Sequence, residues 1–110
     1  MNILNSVNSV VVTTNTMTLD SSSILQAWNT LSVAFTISNT GDESLDYEIL
    51  GGHQSDLSDG VIIQNSATIA SGAVGSYAVQ IAPFSYYGVN VQSSAPGTPS
   101  EATIIGKAKG

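Results

Sequence analysis

The sequence predicts an all-β chain folded as an antiparallel β-sandwich of seven to nine short strands, Ig-like or jelly-roll-like in topology. Three observations predict it. Apolar and polar residues alternate at the two-residue period of half-buried strands, most clearly over residues 31–52, LSVAFTISNTGDESLDYEILGG. Clusters of Gly, Asn, Asp, Ser and Pro recur every several residues as turn signals. No segment shows an apolar stripe at helical spacing.

Taken in order, residues 1–5 read as a short N-terminal arm and residues 7–14 as the first strand, in which Val10, Val11 and Val12 are apolar on both faces. A strand of that kind is expected to be central in its sheet or covered by a neighbour. Asn15 and Thr16 break it, residues 17–19 form a further short strand, and Asp20-Ser21-Ser22-Ser23 is a turn cluster. Residues 23–28 alternate weakly, with Ile24 and Trp28 on one face and Leu25 and Ala27 on the other, and read as a strand. The same SSILQAW also suits the start of a helical turn capped by Ser.

Residues 31–52 give two strands whose faces are both legible. Val33, Phe35 and Ile37 alternate with Ala34, Thr36 and Ser38, and Leu45, Tyr47 and Ile49 with Asp46 and Glu48. Between them Asn39-Thr40-Gly41-Asp42 supplies a Gly that tolerates positive φ and side chains that bond their own backbone. Parity limits the connection. A two-residue turn at Thr40-Gly41 would set Ile37 against Ser44 and put polar groups inside. Either an odd-length loop places Ile37 opposite Leu45, or the second strand crosses to a facing sheet at a sandwich corner.

Residues 51–60, GGHQSDLSDG, form the longest polar loop. Residues 61–64 and 67–70 read as short strands around Asn65-Ser66. SGAVG at 71–75 turns into a strand over 76–82 that sets Tyr77, Val79 and Ile81 on one face and is closed by Pro83. Residues 86–93 and 101–107 read as a final pair joined by SAPGTPS. With no internal repeat and no linker, residues 1–110 make one domain.

A chain of 110 residues buries roughly 65% of its unfolded surface, enough to fold without staples. There are no cysteines, which removes disulfides, thiolate metal sites and cysteine nucleophiles together. Two Lys and no Arg stand against eight acids, for a formal charge of −6. That balance repels a phosphate backbone and anionic lipid, so neither nucleic acid nor membrane is an expected partner. Hydrophobic content of 42% with only 9% charged residues argues for a packed chain whose solubility rests on Ser, Thr, Asn and Gln. No apolar run approaches the roughly 18–20 residues that span a bilayer. MNILNSVNSVVV lacks a basic region followed by an apolar one, so it does not read as a secretory signal.

No motif carries catalytic, cofactor or metal chemistry. Asp42, Glu43, Asp46 and Glu48 surround one turn, and Asp56 and Asp59 bracket a loop, but EF-hand spacing is absent and a solvated strand face explains them. His53, Ser55 and Asp56 supply the ingredients of a hydrolase triad without a G-x-S-x-G elbow, and read as an ordinary loop. Phosphate-loop, dinucleotide and zinc-protease patterns are missing, as is any Asn-x-Ser/Thr sequon. Tyr86 and Tyr87 face opposite sides of one strand, so one of them points outward as a plain strand residue or an interface anchor. The candidate protein interface is therefore Val10, Val11 and Val12 with Tyr86 and Tyr87.

Two stretches carry a resemblance. VAFTISNTGDESLDYEILG followed by ATIASGAVGSYAVQI is similar to Ig-like modules in which a strand ending in Asn-Thr-Gly precedes a small-Gly turn and a Tyr-containing strand. FSYYGVNVQSSAPGTPSEATIIGKAKG resembles the C-terminal hairpin of small virion structural proteins of tailed bacteriophages. The resemblance covers residues 31–110 and implies a non-enzymatic protein without cofactors. It would be made in the host cytoplasm and carried on the virion as a capsid decoration or cement protein. The implied partner is the major capsid protein or another virion protein, with a homo-oligomer as a further form. The alternative is a carbohydrate-binding or adhesion Ig-like module of a larger surface protein, which would need exposed aromatics.

Overall fold

The computed structural model of the chain describes residues 3–28, 30–80 and 82–110. Among them nine strands run in order as β1 (Ile3–Val12), β2 (Thr18–Leu19), β3 (Leu25–Gln26), β4 (Ser32–Asn39), β5 (Leu45–Gly52), β6 (Val61–Ile69), β7 (Val74–Val79), β8 (Tyr86–Ser93) and β9 (Glu101–Lys109), with a 3₁₀ turn at Ser21–Ser23. A four-stranded sheet, β1-β9-β4-β7, faces a second sheet of order β2-β8-β5-β6, which β3 joins by pairing with β8. Every pairing is antiparallel and the set is nested: β1 with β9, β2 with β8, β4 with β7, β5 with β6. The chain is thus one long ribbon, folded at the β5–β6 loop and wrapped on itself. This is the jelly-roll solution of the two the sequence leaves open.

The core lies between the inward faces. Val33, Phe35 and Ile37 of β4, Leu45, Tyr47 and Ile49 of β5, Tyr87, Val89 and Val91 of β8 and Ile104 of β9 are all buried. The alternation of β4 and β5 is therefore a true inside–outside period. Gly106 belongs to this packing, since a Cβ there would lie 2.6 Å from Phe35 Cε1. Between β4 and β5 the chain crosses from one sheet to the other, so the parity argument resolves as a sandwich corner.

That corner is built around Asn39, which is buried. Its Nδ2 donates to Glu43 O (2.7 Å) and Ile69 O (2.9 Å), while Oδ1 accepts from Ser100 Oγ (2.7 Å) and Gly41 N (3.1 Å). Ser100 N in turn donates to Thr13 Oγ1 (2.7 Å), which lies 2.9 Å from Ser93 Oγ. Four connections at one end of the sandwich are joined by this buried polar group. Gly41 serves it through space rather than a left-handed backbone: its φ is not positive, and a Cβ there would collide with Ser100 Oγ.

Several sequence expectations change. Of the segment expected as a strand over 23–28 only Leu25–Gln26, β3, is strand; Ser23 ends the 3₁₀ turn of Ser21–Ser23, which is capped by Asp20. Buried Ser23 explains the interruption: its hydroxyl accepts from Val89 N (2.9 Å) and donates to Asp20 O (2.6 Å), replacing a ladder bond that a regular strand would make. The two strands expected at 61–64 and 67–70 are one strand, β6, because Asn65-Ser66 is absorbed as an irregularity opposite Glu48 rather than as a turn. The expected C-terminal hairpin does not form: β8 pairs with β5, β2 and β3, and β9 with β1 and β4 in the other sheet. Of the expected arm, Ile3 to Asn5 already belong to β1, while Met1 and Asn2 lie outside the described residues, as does Ile81.

Candidate functional site

The two sheets treat their edges differently. In the five-stranded sheet one edge is broken into β2 and β3, two residues each, around the 3₁₀ turn, and the other, β6, carries two register shifts. Short and bulged edges resist pairing with another chain. In the four-stranded sheet the edges are β1, ten residues long, and β7, six residues in unbroken register with β4. Neither contains a charged residue or a proline, the usual guards of an exposed edge.

This places the sequence-predicted interface residues. Val10 and Val12, 64% and 60% exposed, stand on the outer face of β1, while Val11 points inward against the core. Apolar side chains on both faces therefore mark an edge strand and not a central one, because β1 pairs on one side only. The same edge adds Ile3 and Leu4, which fall within the expected arm. On the opposite side of the sandwich, Val61 and Ile62 of β6 and Val74 of β7 are also exposed. These seven account for most of the ten large hydrophobic side chains exposed among the described residues, the others being Trp28, Leu31 and Ile105.

Tyr87 leaves the candidate interface. It is 0% exposed, packs edge-on against Phe84 with ring centroids 5.9 Å apart, and accepts a hydrogen bond from Phe84 N at 3.3 Å. Burial raises its phenol above the ordinary tyrosine range, with the Phe84 N–H opposing and Tyr77 adding to the rise. Tyr86 takes the outward position, half-buried at the start of β8.

The acids and the histidine of the polar loop at 53–59 have structural partners. Asp59 accepts from the backbone N–H groups of Gln54 (3.0 Å) and His53 (3.0 Å), and these bonds hold its carboxyl below the usual range. Asp56 is lowered in the same way by Ser58 N–H at 3.0 Å. His53 Nδ1 meets Ser85 Oγ at 3.1 Å, so its hydroxyl neighbour is Ser85 and not Ser55, and its ring leans on Phe84. The loop is anchored by Leu57, buried at φ 57°. A single apolar residue in a polar run gives no periodic signal by which the sequence could reveal it.

On the outer face of the second sheet, Asp46 accepts from Ser94 Oγ (2.7 Å), Thr68 Oγ1 (2.7 Å) and Gln92 Nε2 (3.2 Å). Partial desolvation raises its pKa, and the bonds from Ser94, Thr68 and Gln92 together outweigh that and lower it. Glu48 accepts from Asn90 Nδ2 at 2.8 Å. Among the described residues no three His, Asp or Glu side chains converge into a metal cluster, and no helix is long and apolar enough to cross a membrane.

No family model and no curated relative matches the chain. Solved structures similar to it include PirA, at 13% identity and TM-score 0.53, with 92% of each chain covered. A second is the protein YomS derived from the SPBc2 prophage, at 9% identity and TM-score 0.53, covering 98% of this chain and 97% of that one. A third is from Bacillus endospore appendages described as disulfide-linked pili, at 14% identity and TM-score 0.52, covering 98% of this chain and 88% of that one. At such identities the likeness is one of fold: a two-sheet sandwich matched over nearly its whole length.

Proposed function

We propose that the chain is a non-enzymatic structural protein of a bacteriophage particle, and in its specific form a capsid decoration protein bound to the lattice of the major capsid protein. The observation that carries this reading is the ten-residue β1 edge, uncharged, unpaired on its outer side and lined with exposed Val10 and Val12. Main-chain pairing at such an edge is a general mode of protein recognition, and many weakly bound copies on a lattice gain by avidity. Likeness to a prophage-derived protein and to a pilus subunit supports an assembling role. This chain has no cysteine, so its assembly would rest on strand pairing and apolar contact rather than disulfides. The test is mass spectrometry of particles purified from lysates of the strain that carries the gene, with native protein and Val10→Lys supplied in turn. Native protein is expected in the particles in many copies and the variant is expected to be lost from them. Absence of the native protein from intact particles would overturn the reading.

One observation favours the adhesion alternative. Trp28 is 52% exposed and lines a shallow hollow of about 210 Å³ with Leu4, Asn5, Gln26 and Thr30, an aromatic ring beside amides of the kind a sugar uses. Saturable change of the Trp28 fluorescence on titration with host cell-wall polysaccharide would support that reading; a flat titration would remove it.

A further inference from the structure

Taking β1 as a protein-binding edge, as proposed above, we infer that its partner includes a second copy of this chain, entering by the β7 edge. The contact extends the four-stranded sheet from copy to copy in one direction.

The polarity of the sheet carries the first step. Its order β1-β9-β4-β7 alternates in direction at every pairing, so the two edge strands run antiparallel to each other. A second copy moved sideways along the sheet, turned only by the natural strand twist, therefore offers β7 to β1 in antiparallel orientation. An even number of alternating strands makes this possible without inverting the copy.

Register carries the second step. One cross-strand row runs Val10, Thr103, Ser38, Val74, through the pairings of β1 with β9, β9 with β4 and β4 with β7. Continuing the row across the contact sets Val10 beside Val74 of the next copy, two outer-face valines 64% and 60% exposed. The next row sets Asn8 beside Ser76, and the following one Ser6 beside Ala78. A two-fold pairing of β1 with itself does worse: registers that set Val10 against Val10 or Val12 overlap only the last few residues of the strand, longer overlaps set Val10 against Ser6 or Asn8, and all of them leave Val74 uncovered.

Charge carries the third. The chain holds a formal charge of −6, yet residues 61–100, which include β6 and β7, contain no charged residue. On the other side, residues 1–41 contain Asp20 alone, and its carboxylate already accepts from Ser9 Oγ at 2.6 Å and Ser22 N at 3.2 Å. The edge strands that meet carry no charge themselves; the nearest charges on the β1 side stand one strand in, on β9, where Glu101 lies opposite Val12 and Lys107 opposite Ser6. Such a contact is heterologous, so it builds a ring or an open filament.

Sedimentation velocity of the full chain, alone and in mixtures, tests the inference. Native protein is expected to show species beyond the monomer that grow with concentration. Val10→Lys and Val74→Lys each block one edge, and each is expected to lose every species above monomer. Mixed in equal amounts they are expected to form a one-to-one dimer and nothing larger, because one free β1 edge meets one free β7 edge. Native protein that stays monomeric at all concentrations would overturn the inference, as would Val74→Lys assembling like the native chain or a mixture that stays monomeric. Thermal melts check folding, and Val12→Lys with Ala78→Lys replace any variant that fails it. Monomeric native protein that still enters particles through β1 would sink this inference and leave the proposed function standing; self-association in a protein absent from particles would do the reverse.

Discussion

Replacing Asn39 by Ala is expected to cost the fold about 4 kcal/mol, although the sequence places the residue in a turn. The side chain removed satisfies four groups: the carbonyls of Glu43 and Ile69, the Ser100 hydroxyl and the Gly41 N–H. The bonds to Ile69 and Ser100 are fully buried, and each buried group left without a partner costs about 1–3 kcal/mol. Two such losses give roughly 2–6 kcal/mol, and the half-buried pair, which water reaches, adds little. Urea unfolding followed by circular dichroism measures the change, with an unaltered slope showing that the unfolded state is the same. Asn39→Asp separates hydrogen bonding from volume. It keeps the shape but turns a carboxylate oxygen toward two carbonyls, so its folded pKa rises above the ordinary carboxylate value of about 3.9. A raised carboxyl contributes stability below the unfolded pKa and loses it as pH rises through the folded one, so Asn39→Asp should gain on Asn39→Ala as the solution is acidified. A loss under about 1 kcal/mol for Asn39→Ala would refute the reasoning and return the residue to an ordinary turn.

Four further outcomes are expected. Phe35→Ala, at the buried centre of β4, should cost about 3–5 kcal/mol, and a melting temperature unchanged within about two degrees would mean that the strand faces solvent. The lowered carboxyls of Asp46, Asp56 and Asp59 contribute stability that is complete above their unfolded pKa and is lost as pH falls through the folded values, so thermal melts should decline on acidification below about pH 4; Asp46→Asn should flatten that decline. EDTA should leave the melt unmoved, and a rise of several degrees on adding Ca²⁺ would bring Asp42, Asp46, Asp56 and Asp59 forward as a site. Raising ionic strength should promote self-association, since it screens repulsion between copies of charge −6 and weakens no ion pair at the uncharged edges; inhibition by salt would point to a charged contact instead.

What the sequence made legible was local. The alternation from Val33 to Ile37 and from Leu45 to Ile49 is a backbone property, and with parity it was enough to demand a corner between β4 and β5. What it hid depends on distant partners. Asn39 looks like any turn asparagine until Ile69 and Ser100, 30 and 61 residues onward, are brought to it. Strands β8 and β9 alternate as a hairpin would, and alternation says which side of a strand is inward, not which sheet it joins. Val10, Val11 and Val12 read alike in a central and an edge strand, because hydrophobicity records apolar surface and not what covers it. Of the candidate interface, the face argument placed one of Tyr86 and Tyr87 outward but could not say which.

The fold itself explains why the four-stranded sheet is the one left open. In the nested ribbon its edges are β1, at the start of the chain, and β7, which follows β6 through the short turn at residues 70–73. A bulge in β1 between Val7 and Val11 would turn those side chains out of the core they pack against, and one in β7 would displace Tyr77 and Val79. Its irregularity is confined to the far end, between Ile3 and Asn5. A charge on the outer face would disturb none of this: Val10 and Val12 could be Lys without cost to the core. The fold therefore accounts for the regularity of β1 but not for its valines. Meanwhile the other sheet carries an interrupted edge stitched together by Ser23 and a twice-shifted one in β6. Valine at two exposed positions of the longest edge strand among the described residues is a feature that core packing does not require and that an apolar contact across a paired edge would use.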